Sequence, residues 1–170
     1  MPDPLHPALV HLPLGLALAT PLLAAGIALA AWRGLLPRRA WIAVVALQAL
    51  LVAGGVAALV TGEEDGERVE KLVGEDPVEA HEERAEAFVW AAGAVLAAAA
   101  AALVVPARAA GALAALSLAG MVAVAGLAIR TGQAGGELVY RHGAARAFAP
   151  GVAGGGPAPK ADDRGRDGRR

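Results

Sequence analysis

Four stretches of this chain, residues 8–31, 40–60, 87–105 and 109–129, contain no Asp, Glu, Lys or Arg. Each is about 20 residues long, the length an α-helix needs to cross ~30 Å of hydrocarbon. Lipid offers a backbone amide no hydrogen-bond partner, so a segment that crosses it must be helical. A soluble bundle would put a polar stripe on each helix. Runs one, two and four have none, and 56% of the 170 residues are hydrophobic. The sequence therefore predicts an all-α integral membrane protein, a four-helix transmembrane bundle.

Only Asp3 and His6 supply polar chemistry ahead of the first run, where a secretory signal carries basic residues. The run is therefore read as a retained span. The turn at 32–39 holds Arg33, Pro37, Arg38 and Arg39, and 106–108 makes a second short turn. Residues 61–86 form a long acidic connector, expected to be solvated with a short helix around 68–73. After Pro150 the chain runs through Gly, Pro, Lys, Asp and Arg, which cannot bury a core. The expected organisation is a transmembrane domain over 1–148 and a disordered Gly/Pro/Arg-rich tail over 149–170.

Arginines behind the first run, flanked by Trp32 and Trp41, favour a cytoplasmic first turn. Both termini then lie outside, although Arg68, Lys71, Arg84, Arg130, Arg141 and Arg146 share the outer side. With only Lys71 and Lys160 among fifteen basic residues and a heavy alanine load, the composition suggests a bacterial inner membrane protein.

An offset of 70 residues aligns Pro7 with Pro77, His11 with His81, Arg38 with Arg108, and Thr61-Gly62 with Thr131-Gly132. Gly66-Glu67 and Val69 find Gly136-Glu137 and Val139 in the same register. The pattern predicts two helical-hairpin repeats, about 5–74 and 75–144, entering the membrane in the same direction. Each hairpin opens on a proline at the helix start, with His6 and Asp76 as caps. Pro13 adds a kink to the first helix alone. Each Thr-Gly pair suits a helix C-terminus.

The repeat makes His11 and His81 counterparts at one depth, and parity puts His6 and His142 on the same face. Two imidazoles facing across a bundle suit the axial positions of haem b, with His6 and His142 as accessory groups. Small residues, Gly15, Gly54, Gly55, Gly120 and Gly126, favour close helix packing. One haem near one face limits a redox role to that side and implies a redox protein partner. A non-haem metal could take His11, His81, Glu67 and Glu137. No His-Glu-x-x-His or Glu-x-x-His spacing accompanies them. Equally, the histidines could hydrogen-bond headgroups and helix ends in a cofactor-free structural or partner-binding subunit. Solute transport ranks last, since no charge or broken helix stands at mid-membrane. Cysteine is absent, Ser117 is the lone serine with no base nearby, and 151–156 has no preceding strand to make a phosphate loop. No basic stripe marks a nucleic-acid binder. The chain reads as more a binder than an enzyme. Oligomeric state is open.

The stretch His6-Pro7-Ala8-Leu9-Val10-His11-Leu12-Pro13-Leu14-Gly15-Leu16 resembles the opening of a family of uncharacterised bacterial membrane proteins, domain of unknown function 2231. Gly135-Gly136-Glu137-Leu138-Val139-Tyr140-Arg141-His142-Gly143 is similar to its closing motif. The likeness covers about residues 4–146. Leu12 stands where that family carries phenylalanine. The resemblance implies four spans without an assigned activity. Relatives joined to Rieske-type or c-type cytochrome modules add a redox context, and no established site residue comes with it.

Overall fold

The computed structural model describes residues 6–149. The tail expected beyond Pro150 lies outside the described residues. Among those described, every regular element is helical: α1 His6–Leu9, α2 His11–Trp32, α3 Ile42–Val73, α4 Glu75–Val104 and α5 Ala107–Tyr140. Two 3₁₀ turns, Arg38–Trp41 and Ala144–Phe148, complete the elements of the described residues. Four helices are long and apolar enough to cross a membrane.

The apolar positions explain how they pack. Buried residues recur every three or four positions: Pro13, Ala17, Thr20 and Ala24 on α2; Val44, Gln48, Leu51, Gly55 and Ala58 on α3. On α4 the seam is Phe88, Ala92, Val95, Ala99 and Ala102; on α5 it is Ser117, Met121, Val124 and Ala128. Such a seam brings helices together at shallow crossing angles. Leu22, Trp90, Val104, Leu116 and Val122 point outward, more than half exposed. They face lipid, where an apolar surface is at no disadvantage.

The turns follow local chemistry. Gly34 takes φ +73 after α2, the left-handed conformation that leaves Cβ no room. Val105 is extended ahead of Pro106, as a residue before proline must be, and α5 starts at the next residue. Helix one is interrupted at Val10, between α1 and α2. Pro13 explains the break: it has no N–H for the Leu9 carbonyl, and its ring crowds that oxygen. Val10 itself keeps helical angles, φ −62 and ψ −23, and the Val10 and Leu14 amides still bond back to the carbonyls of His6 and Val10, so the chain stays helical through this point.

The connector between the second and third spans departs from expectation. Residues 61–86 are not a solvated loop with a short helix. α3 runs unbroken to Val73, Gly74 turns the chain at φ +91, and α4 begins at Glu75. The Glu, Lys, Arg and Ala content favours helix. Val69, Val78, Leu138 and Ala144 also gather in a second small core, covered by Val73, Ala147 and Phe148. The helices thus continue past the apolar stretch; residues 61–73 alone add about 20 Å at 1.5 Å per residue.

That continuation corrects two further expectations. Thr61-Gly62 and Thr131-Gly132 lie inside helices and do not end them. The Thr61 hydroxyl donates to the Ala57 carbonyl at 3.0 Å, and Thr131 donates across to the Arg84 carbonyl at 3.1 Å. Asp76 does not cap α4, because Gly74 holds that position. Asp76 stands in the first turn, where a carboxylate favours the helix dipole. His6 opens α1 itself.

Candidate functional site: a histidine pair where the helices leave the membrane

His6 and His81 come together. Their ring centroids lie 6.3 Å apart with the planes at 89°. His6 arrives on α1, which packs against α3. Its Nδ1–H donates to the Ala58 carbonyl at 2.8 Å. A carbonyl only accepts, so this bond fixes the tautomer and leaves Nε2 with its lone pair. The ring lies on Gly62, where an added Cβ would stand 3.1 Å from it. His81 lies the same way on α5: a Cβ at Gly135 would meet its Cε1 at 3.2 Å. Both glycines are therefore places where a helix backbone comes up against an imidazole.

His81 is held more tightly. Its Nδ1 is buried and has no hydrogen-bond partner. The uncharged stretch of α4 starts at Ala87, so His81 and Glu82 lie in the extension outside the hydrocarbon. Burial, more than anything else, holds the His81 imidazolium below the usual histidine range. His6 pushes the same way, the Thr131 backbone opposes it, and Arg84 adds a smaller push downward. Glu82 is raised, first by its own burial and then by Glu70, Glu63, Glu86 and Glu79.

The other predicted residues do not join this pair. His11 is exposed at the first position of α2, whereas His81 sits six residues into α4. Glu67 is exposed on α3, and Glu137 pairs with Arg141 at 3.2 Å on the α5 surface. The four-residue metal set is therefore not assembled: among the described residues, no three of His, Asp and Glu converge at ion-binding spacing. His142 is exposed beyond α5 and lines an open groove of about 400 Å3 with Asp76, Arg84 and Glu137.

Among the described residues three polar side chains are buried inside the bundle, of which only Ser117 stands out in the sequence. Thr20, Gln48 and Ser117 are at most 1% exposed. Gln48 Nε2 donates to the Ala92 carbonyl at 3.1 Å, and Ser117 donates to Leu113 at 2.7 Å. Their signal in the sequence is their polarity inside charge-free runs. Ala58 has none, since it contributes only its carbonyl.

A family model described as Predicted membrane protein (DUF2231) matches residues 2–147. No curated protein and no solved structure matches the chain.

Proposed function

The chain belongs to this family of predicted membrane proteins, and from that premise we propose that it is a small haem b protein in which His6 and His81 would hold the iron. The observation that carries this reading is the spacing of the two rings. The pair stands 6.3 Å apart, a spacing that a metal held by both rings would allow and that an ordinary edge-to-face ring contact also gives. The His6 tautomer supports it, because a ligating histidine typically donates its other N–H to a carbonyl or carboxylate. The buried Nδ1 of His81, which makes no hydrogen bond, supports it too, as a ring nitrogen open to a further partner. Bound iron would supply reversible one-electron chemistry. The protein's part is to orient two bases and keep one of them out of water.

In this reading His11 is no ligand, and His142 is too exposed to serve as more than an accessory group. The site lies at one end of the bundle, so electron exchange with a redox protein partner is confined to that side. We place that side outside the cell in a bacterial inner membrane, with both termini there.

The test is a reduced-minus-oxidised spectrum of the protein expressed with added haem and purified in detergent. The expected result is a bis-histidine haem b spectrum that His6→Ala and His81→Ala abolish and His11→Ala leaves intact. A folded wild-type protein with no visible absorbance would overturn the proposal.

A second reading has its own observation, the seating of both rings on glycines. Here the pair is a cofactor-free clasp joining α1–α3 to α4–α5 in a structural or partner-binding subunit. It expects no absorbance, together with a marked loss of stability in His6→Ala.

A further inference from the structure

We infer that a water molecule is bound inside the membrane-spanning bundle, held between Thr20 of α2 and Gln48 of α3. Thr20 is 1% exposed and its hydroxyl has no hydrogen-bond partner. Gln48 is fully buried; its Nε2 is used on Ala92, and its Oε1 has no partner. Buried polar groups are nearly always satisfied, and inside hydrocarbon no bulk water is at hand to do it. The other buried hydroxyl of the bundle follows the usual rule: Ser117 bonds back to the carbonyl four residues earlier.

Helix register puts Thr20 and Gln48 at one level of the bundle. A Cβ at Gly54 would stand 3.3 Å from the Pro13 side chain, which pins α2 against α3 at that point. Thr20 lies seven residues along α2 from Pro13, and Gln48 lies six residues back along α3 from Gly54. At 1.5 Å per residue these are displacements of about 10 and 9 Å in the same direction. Both residues belong to the buried seams of their helices. Next to Thr20, Pro21 has no N–H to offer the Ala17 carbonyl, and Ala17 is 1% exposed. The site thus brings a hydroxyl, an amide oxygen and a carbonyl oxygen released from the helix ladder.

A buried water needs two to four polar partners, which this set supplies. Water also has the right polarity of bonding. It donates to the Gln48 and Ala17 oxygens and accepts from the Thr20 hydroxyl. A cation would lack a countercharge, because residues 8–31 and 40–60 contain no carboxylate.

The experiment is a map of the full-length protein in lipid at a resolution that shows ordered water. The expected result is a peak within hydrogen-bonding distance of Thr20 Oγ1 and Gln48 Oε1. It should persist in Thr20→Ser and vanish in Thr20→Val. Well-ordered side chains with no peak, or a direct Thr20–Gln48 hydrogen bond, would overturn the inference.

Discussion

Arg38 reaches across the bundle to the Ala102 carbonyl at 2.7 Å, and its guanidinium also donates to Val105 at 2.5 Å. These carbonyls belong to the last turn of α4, where no further amide follows to bond them. A cation is also favoured at that end of the helix dipole. Arg38→Ala should lower stability by about 1–2 kcal/mol, the range for a charge-assisted hydrogen bond at a helix end. Unfolding in a mixed detergent series measures it. Arg108→Ala, at an exposed position, should have no comparable effect.

Glycine positions separate into tight and open ones. A Cβ at Gly120 would lie 2.6 Å from Val95 Cγ2, whereas at Gly126 it meets nothing within 4 Å. Gly120→Ala should therefore destabilise by about 1–3 kcal/mol through overpacking. Gly126→Ala should be neutral or stabilising, since alanine is the better helix former by about 1 kcal/mol. If the two variants had equal unfolding midpoints, the α4–α5 packing described above would be wrong.

Acid should loosen the extramembrane end through His81. Its folded value is depressed by burial, with His6 and Arg84 adding to that and the Thr131 backbone opposing it. The neutral ring is thus the one the fold prefers. Its contribution is present above the unfolded histidine value of about 6.5 and is lost as pH falls through the depressed folded value. Glu82 acts with the opposite sign, because its folded value is raised and protonation favours the fold. Comparing wild type with His81→Gln at pH 7.5 and pH 5 isolates the histidine. The variant should show the smaller loss on acidification.

The chain has no cysteine, so single cysteines report topology against a silent background. Gly34→Cys, in the first turn, and Glu64→Cys, on the extension of α3, should label from opposite sides of the membrane. With the termini outside, a membrane-impermeant maleimide added to intact cells reaches Glu64→Cys only. The reverse pattern would invert the orientation and leave the bundle unchanged.

The spans were legible because hydrocarbon enforces length and excludes charge, and both are visible residue by residue. The seam was legible in principle too, since Ala17, Ala24, Ala92 and Ala99 recur at bundle spacing. Alanine, however, fills buried and lipid-facing positions alike, so the inward face could not be chosen. The extension of α3 and α4 was missed because eleven acidic residues between 63 and 86 read as solvent-exposed. They are largely exposed, but on helices whose other side holds Val69 and Val78. The histidine face was predicted, and the pairing within it was different. Sequence register matches His11 with His81, while the structure sets His6 against His81. That pairing depends on how α1 packs against α3, which a 70-residue offset does not encode.

Gly74 stands alone between two helices of 32 and 30 residues. A connector that short has almost no slack. Neither helix can slide past the other or change its tilt without carrying its neighbour along. Any push that a docked protein delivers at this tip would travel down both rods together and arrive at the residues that seat His6 and His81. Lengthening the tip by a few flexible residues would uncouple the two rods while leaving every buried side chain in place.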